Sequence, residues 1–230
     1  MRAAPHFRRP PIMPRPPLTR SRIVAAGLDI ASELGLPALS VRAVARRVNA
    51  TATGVQRHIG TTELVEAVVA EVVGSMPPVP ARGDWPRRLR LWAVRTRAWL
   101  TGYPGLARYL LVNRWETFTA LDRLEDVVGV LGASDLTKAE QVRAASTLYW
   151  FVLSSTDLDE SAGIIGSDLS MKRIVDAPDR WPRLSAYSSD HSTTAAQAQF
   201  LFGLDLLLGG IGRREPVGAD LHGADAVALS

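Results

Sequence analysis

Side chains that can hydrogen-bond with bases and phosphates are concentrated between residues 40 and 62. They are Ser40, Arg42, Thr51, Thr53, Gln56, Arg57, His58 and Thr62. The Gln56 amide can make two hydrogen bonds to the N6 and N7 atoms of adenine. Guanidinium and hydroxyl groups bind phosphate oxygens, the role that we expect for Arg42 and Thr62. We therefore predict that this segment contacts a nucleic acid. The alternatives are that Thr51 only caps a helix and that His58 only packs or caps.

Two short helices joined by a tight corner are predicted to hold these side chains. The apolar residues of the first helix recur at helical spacing: Val41, Val44, Ala45 and Val48. Those of the second helix are Ala52, Val55 and Ile59. Ser40 and Thr51 stand where a hydroxyl caps a helix, and Asn49 tolerates the left-handed conformation of a corner. This layout is a helix-turn-helix, whose second helix enters the major groove of DNA.

Basic residues dominate the first quarter of the chain. Up to residue 60 there are ten arginines against two acidic residues, a net charge of +8, while the whole chain carries +4 and the remainder therefore −4. A basic segment on an acidic body is typical of a protein whose basic part binds a polyanion. A solvated basic surface is the alternative. The coincidence with the helix-turn-helix pattern favours double-stranded DNA as the partner.

Prolines divide the chain into segments. Six prolines and four arginines before residue 19 predict a disordered basic arm, residues 1–18, which either contacts DNA or has no role. Residues 19–76 complete a DNA-binding domain, with one helix before the motif and a linking fourth helix after it that Thr61 is expected to cap. A cluster of prolines from residue 77 marks the boundary with a regulatory and dimerisation domain, residues 77–212. A Gly-rich flexible tail, residues 213–230, follows.

The body reads as helical, so the predicted fold class is all-α with nine or ten helices. Residues 157–192 are the exception, since glycines and prolines there predict an irregular segment with a short helix near 171–175. Two late helices, 137–155 and 194–209, are apolar on more than one side and carry small residues. They are expected to form a homodimer bundle with a second copy, with burial inside a monomer as the alternative.

Aromatic residues are concentrated in the body. An apolar aromatic lining with a few polar anchors is typical of a small-molecule site. The candidate effector-binding residues are Trp92, Arg95, Trp99, Trp115, Thr147 and Phe151. Ordinary core packing is the alternative for each aromatic residue.

Several function classes lack their sequence signatures. There is no cysteine, and the four histidines show no metal-ligand spacing. Because no phosphate-binding loop or nucleophile motif is present either, we expect no enzyme activity, no cofactor and no metal. No apolar run is long enough to span a membrane, so a cytoplasmic protein is expected. The rival hypotheses are an all-α enzyme or small-molecule-binding protein with a vestigial helix-turn-helix, and an architectural DNA binder.

Residues 22–69 resemble the TetR family of bacterial transcriptional regulators. The matching residues are Glu33-Leu34-Gly35, the segments 39–45 and 55–59, and Glu63-Leu64. In the body, Asp84-Trp85, Tyr103-Pro104 and residues 200–207 are similar to tetracycline-repressor-like regulatory domains. The resemblance implies a repressor that binds a palindromic operator as a homodimer and is released by a small apolar or aromatic effector.

The chain departs from that family at four positions. Asn49, Gln56, Ile59 and Thr62 stand where relatives usually have Gly, Tyr, Phe and Lys. The Tyr and Lys frequently contact phosphates in relatives. We therefore expect the preferred DNA sequence, and the strength of binding, to be the least transferable part of the resemblance.

Overall fold

The computed structural model describes residues 17–113, 118–165, 167–187 and 195–212. Within these ranges every element is helical. The helices are α1 (Arg20–Leu34), α2 (Val41–Arg47), α3 (Ala52–Gln56), α4 (Thr61–Gly74), α5 (Trp85–Leu100), α6 (Leu106–Asn113), α7 (Phe118–Leu131), α8 (Lys138–Ile165), α9 (Ser167–Asp176), α10 (Pro182–Tyr187) and α11 (Ala195–Gly212). A 3-10 turn (Leu36–Ala38) follows α1. The expected all-α class is confirmed.

Helices α1 to α4 form a small domain around one apolar core. The inward side chains of the helix-turn-helix are those that the spacing selects, with Val44 and Val55 completely buried. They pack on Ile23 of α1 and on Leu64 and Val68 of α4, which are also completely buried. The two short helices therefore depend on their neighbours, because so few turns are not stable alone in water.

Local capping fixes where these helices begin. The hydroxyls of Thr19, Ser40 and Thr51 each accept a hydrogen bond from a backbone N–H of the first turn. Asn49 has φ +55°, the left-handed conformation expected at the corner. The expected cap of α4 is wrong: Gly60 is the N-cap, and its N–H donates to Glu63 Oε2 over 3.4 Å. A side-chain acceptor in the first turn replaces the Thr61 hydroxyl.

The body is organised around α8, which packs against α5, α6, α7 and α11. Asp84 caps α5 by accepting from the Arg87 N–H over 3.1 Å, and Thr137 N–H donates to Glu140 Oε2 over 2.9 Å at the start of α8. Trp92 and Tyr149 pack together in the core, with ring centroids 5.2 Å apart. No helix of the described residues is long and apolar enough to cross a membrane.

The expectation of an irregular segment at 157–192 is wrong over most of its described part. Helix α8 runs to Ile165 and passes through Gly163, and two further helices follow. One glycine inside a helix costs only about 1 kcal/mol, which packing against four helices offsets. Pro182 is the first residue of α10, a position that suits proline rather than breaking the helix.

Candidate functional site

The proposed DNA-contacting residues lie on three consecutive elements of the small domain. Arg42 lies on α2, Thr53 and Gln56 on α3, and Thr62 in the first turn of α4. Arg57 and His58 follow the last residue of α3, which ends three residues earlier than the spacing predicted. All six side chains, and that of Thr51, are exposed. Ser40 is half-buried, and its Oγ accepts from the Ala43 N–H over 3.1 Å.

The apolar side of α3 packs into the core of the small domain, so its polar side faces outward. Val55 and Ile59 are 0 % and 1 % exposed. Thr51 Oγ1 accepts from the Gly54 N–H over 3.0 Å, so its hydroxyl caps α3. A hydroxyl that accepts one bond can also donate its hydrogen. Capping and a phosphate contact are therefore compatible for Thr51.

Two acidic residues of the small domain, Glu33 and Glu63, are paired with arginines. Arg47 Nη1 donates to Glu33 Oε1 over 3.0 Å, and Arg20 forms an ion pair with Glu63. The hydrogen bond from Arg20 holds the pKa of Glu63 below its ordinary value. Arg42 and Arg57 have no such acidic partner within the described residues. Their positive charges are therefore exposed and not neutralised by a carboxylate of the described chain.

The arm joins the domain beside α3. Leu18 is half-buried, and its Cδ2 lies 3.9 Å from the place where a Cβ on Gly54 would stand. The remainder of the predicted arm, residues 1–16, lies outside the described residues, as does the predicted tail 213–230. The basic arm therefore connects to the edge of the surface that carries Gln56.

The structure does not bring the candidate effector residues into one cavity. Trp92 is buried in the core, Arg95 is exposed on α5, and Trp99 packs on Tyr103 with ring centroids 5.4 Å apart. Thr147 is exposed on α8 and Phe151 stacks on Phe200 of α11. Trp115 lies outside the described residues.

A different apolar cavity lies between four helices. Its lining comes from α4, α6, α7 and α8: Val73, Leu110, Ala120, Tyr149, Trp150 and Leu153. Its free volume is about 10 Å³, room for about one water molecule. None of the candidate effector residues predicted from the sequence and described by the structure lines this cavity. Nothing in the local pattern of Val73, Leu110 and Ala120 distinguishes them from other core residues, so sequence reasoning missed them.

Helix α4 connects this cavity to the surface that is predicted to contact DNA. Val73 forms part of the cavity wall, while Thr62 stands in the first turn at the other end of the same helix, which follows α3 in the chain. The body holds the end of α4 by two hydrogen bonds: Arg123 Nη2 donates to the Gly74 carbonyl over 3.1 Å, and the Tyr149 hydroxyl donates to Met76 Sδ over 3.0 Å. Burial raises the pKa of Tyr149, so its hydroxyl stays protonated as a donor.

Helices α8 and α11 leave an apolar face exposed. A groove between them is lined by Leu136, Glu140, Arg143, Ala144, Thr147, Leu206, Leu207, Gly210 and Ile211. Phe202 and Leu206 on α11 are 60 % and 61 % exposed. Gly203 serves the packing within the chain, since a Cβ there would stand 2.7 Å from Phe151 Cζ. The exposed side chains Phe202 and Leu206 therefore lie next to the strip of α11 that packs on α8.

The structure supplies no candidate for metal catalysis: within its described ranges, no group of three or more His, Asp or Glu side chains could hold a metal ion.

Comparison with known proteins identifies relatives along most of the chain. The family model described as tetracyclin repressor-like, C-terminal domain, matches residues 77–214. The HTH-type transcriptional repressor DrrR1 of Streptomyces coeruleorubidus is 27% identical over 222 residues, which cover 89% of this chain and 81% of that protein. An HTH-type transcriptional regulator of Saccharopolyspora erythraea is 25% identical over 147 residues, 63% of this chain and 62% of its own.

Solved structures share the fold. A possible TetR family transcriptional regulator from Streptomyces coelicolor matches with a TM-score of 0.69 at 26% identity, over 83% of this chain and 97% of that one. ActR from the same organism, in complex with actinorhodin, matches with a TM-score of 0.70 at 21% identity, over 85% and 95%. The family model covers more than half of the chain, and the helix-turn-helix precedes it. The chain therefore belongs to the tetracycline-repressor-like family of helix-turn-helix transcriptional regulators.

Proposed function

We propose that this protein is a homodimeric repressor that binds a palindromic operator. It is released from the DNA when a small apolar or aromatic molecule enters the cavity between α4, α6, α7 and α8. One observation carries the proposal: α4 ends in the cavity wall at Val73 and begins at the DNA-contacting surface at Thr62. A displacement at one end of a helix moves the other end. We propose residues 19–76 as the DNA-binding domain and residues 77–212 as the regulatory and dimerisation domain.

Dimerisation through the α8–α11 face places the two DNA-binding domains in a two-fold symmetric arrangement. Phe202 and Leu206 are large apolar side chains left exposed on that face. A second copy related by two-fold symmetry would cover them with the same face of its own. The two α3 helices then enter successive major grooves about 34 Å apart, or a multiple of that spacing, which requires a palindromic site.

Base readout by Gln56 is tested by Gln56→Ala. We expect a loss of about 1–3 kcal/mol in binding to the selected operator and little change in binding to unrelated DNA, because the amide contacts a base edge. Arg42→Ala is the contrast: as a phosphate contact, Arg42 should weaken both complexes alike and lower the log–log salt slope by about 0.9. Fluorescence anisotropy over a salt series measures both. An equal loss on both DNAs for Gln56→Ala would show that it reads no base.

We propose that the arm at residues 1–16 adds to DNA binding by the surface around α3. Arg2, Arg8, Arg9 and Arg15 are its charged side chains. Since Leu18 anchors the start of the described chain beside α3, these arginines lie within chain reach of the DNA next to each half-site. We propose that they contact phosphates or the adjacent minor groove.

The size of the cavity supports release of the DNA when an effector binds. A drug-sized ligand needs a pocket of about 300 Å³ or more, far above the free volume of about 10 Å³ between α4 and α8. Such a ligand enters only if the walls separate, and Val73 makes α4 one of those walls. The ligand therefore favours a geometry with a displaced α4, and couplings of this kind amount to about 1–3 kcal/mol.

Filling the cavity with a side chain should act in place of the effector. Ala120 is 4 % exposed and lines the cavity from α7. The phenyl ring of Ala120→Phe exceeds the free volume of about 10 Å³ and fits only if the walls separate, as with a bound ligand. We therefore expect this variant to lose about 1–3 kcal/mol in folding stability, to bind the operator more weakly without any compound, and to respond less to effector than the unmodified protein. Gel shifts with a compound panel that includes actinorhodin and minocycline, ligands of structures with this fold, measure the response.

The control for Ala120→Phe is Leu121→Phe, one residue further on α7, where the side chain is 48 % exposed. This variant should release DNA at the same compound concentrations as the unmodified protein. If no compound of the panel acts, mass spectrometry of molecules that co-purify with the protein supplies the ligand. A response of Ala120→Phe equal to that of the control would place the effector elsewhere.

The proposed function as a whole is tested by selecting DNA sites from a random pool. We expect enrichment of one palindromic site, and a gel shift on that site at moderate salt. Failure to enrich any sequence would contradict the proposed regulator function. It would favour the rival hypothesis of an enzyme or small-molecule-binding protein with a vestigial helix-turn-helix.

A further inference from the structure

Glu160, near the end of α8, holds a turn that lies far from it in sequence. Its Oε2 accepts a hydrogen bond from the Gly105 N–H over 2.8 Å, across 55 residues of chain. Glu160 is half-buried, and Gly105 belongs to the turn between α5 and α6. A hydrogen bond to a charged acceptor is about twice as strong as a neutral one. The position of this turn is therefore tied to α8.

The same turn packs closely against the corner after α1, which consists of Gly35 and the 3-10 turn Leu36–Ala38. The Leu36 N–H donates to the Pro104 carbonyl over 2.8 Å. A Cβ on Gly35 would stand 2.9 Å from the Pro104 oxygen, and a Cβ on Gly105 would stand 2.7 Å from Pro37 Cδ. Both glycines have positive φ, +84° and +83°, which side-chain-bearing residues rarely adopt. Here a glycine of each part packs directly on the backbone or the proline ring of the other part, which leaves no space for a side chain at either glycine.

The neighbouring residue on α8 ties the same region to the dimerisation helix. Asp159 forms an ion pair with Arg97 of α5. The guanidinium of Arg97 lies 4.8 Å from the ring centroid of Phe200 on α11, within the range of a cation–π contact. Two adjacent side chains of α8 thus connect α11, through Arg97, and the corner after α1, through Gly105.

We infer that Glu160 is a positioning residue for DNA binding: through the Gly105 turn it fixes the angle of the DNA-binding domain on the dimer body, and so sets which half-site spacing the dimer accepts. Glu160 touches no DNA. The inference rests on the proposed function, since spacing has meaning only for a dimer on a palindrome. It is independent of the α4 route, because the contact is made by α1 and the turn before α6.

The test compares Glu160→Ala with Glu160→Gln on a series of synthetic palindromes whose half-sites are moved apart or together by single base pairs. Each base pair changes both the separation and the rotational phase of the half-sites. The unmodified protein should prefer one spacing. Glu160→Ala, which removes the acceptor for the Gly105 N–H, should reduce that preference about tenfold while affinity for an isolated half-site changes less than twofold. Glu160→Gln keeps an acceptor oxygen and should behave like the unmodified protein.

Two further variants complete the design. Pro37→Ala loosens the same close packing from the other side and should also reduce the spacing preference, which covers the case in which Glu160→Ala does not fold. Glu125→Ala removes an exposed carboxylate of α7 and should change nothing. An unaltered spacing preference in Glu160→Ala, or in Pro37→Ala if the former is unfolded, would overturn the inference. So would a loss of half-site affinity that matches the loss on the palindrome, since that indicates a structural role only.

The outcome also separates this inference from the proposed function. If the unmodified protein binds no palindrome at any spacing, the proposed function fails. If it binds one spacing and Glu160→Ala binds that spacing with the same selectivity, only the role of Glu160 is wrong.

Discussion

Leu206→Glu should convert the dimer into monomers and weaken operator binding by about 10²- to 10⁴-fold. The leucine is 61 % exposed in the single chain and lies on the apolar face between α8 and α11. Burying two carboxylates against each other at a symmetric interface is unfavourable, because each loses its hydration without a partner. Once the chains separate, the second half-site is no longer held at high local concentration, and that advantage accounts for the range.

Analytical ultracentrifugation and anisotropy on a palindrome and on a single half-site measure this effect. The half-site affinity should be unchanged, since Leu206 is remote from α3. Leu121→Glu is the matched control: it places the same charge at a leucine of α7 that is 48 % exposed and lies off the α8–α11 face. A Leu206→Glu protein that sediments as a dimer and binds the palindrome normally would exclude this face as the interface.

Gly27→Leu should abolish DNA binding by disrupting the small domain, with a loss of about 3 kcal/mol or more in stability. Gly27 is buried on α1 where it crosses α4, and a Cβ there would stand 2.6 Å from Val68 Cγ2. Val68 is completely buried, and a β-branched residue in a helix has one strongly preferred rotamer, so it cannot turn away. The two helices must separate, and with them the support under α3.

Thermal unfolding and hydrogen exchange across α1 to α4 report this change. Gly129→Leu is its control, since Gly129 lies within α7 and a Cβ there meets no atom within 4 Å. That variant should gain stability slightly, because leucine favours a helix more than glycine does. Gly27→Leu with an unaltered melting temperature and normal operator affinity would contradict the close packing of α1 on α4.

Features that depend on contacts between near neighbours were predictable from the amino-acid sequence. The helical spacing of Val41, Val44 and Val55 located the buried side of the helix-turn-helix, and Asn49 marked its corner. Ser40 and Thr51 marked helix starts, because a cap is a contact between residues two or three positions apart. The other positions of α3 were therefore predicted to be exposed. Both the family resemblance and the polar surface could be recognised from the sequence.

Contacts between residues far apart in the sequence depend on how the helices pack, and local patterns did not predict them. The cavity is assembled by Val73, Leu110, Ala120 and α8, and no local pattern marks Val73 of α4 as part of a cavity wall. Aromatic content alone favoured Trp92 and Phe151, which instead pack in the core and on Phe200.

The same holds for the segment after residue 157 and for the Glu160–Gly105 hydrogen bond. Gly163 reads locally as a helix breaker, but α8 passes through it because that helix packs on four others. Glu160 reads as one solvated acid among many until the fold places it 2.8 Å from a backbone N–H in another part of the chain. Spacing and capping act over one or two helical turns, whereas contacts across 55 residues are set by how whole helices pack.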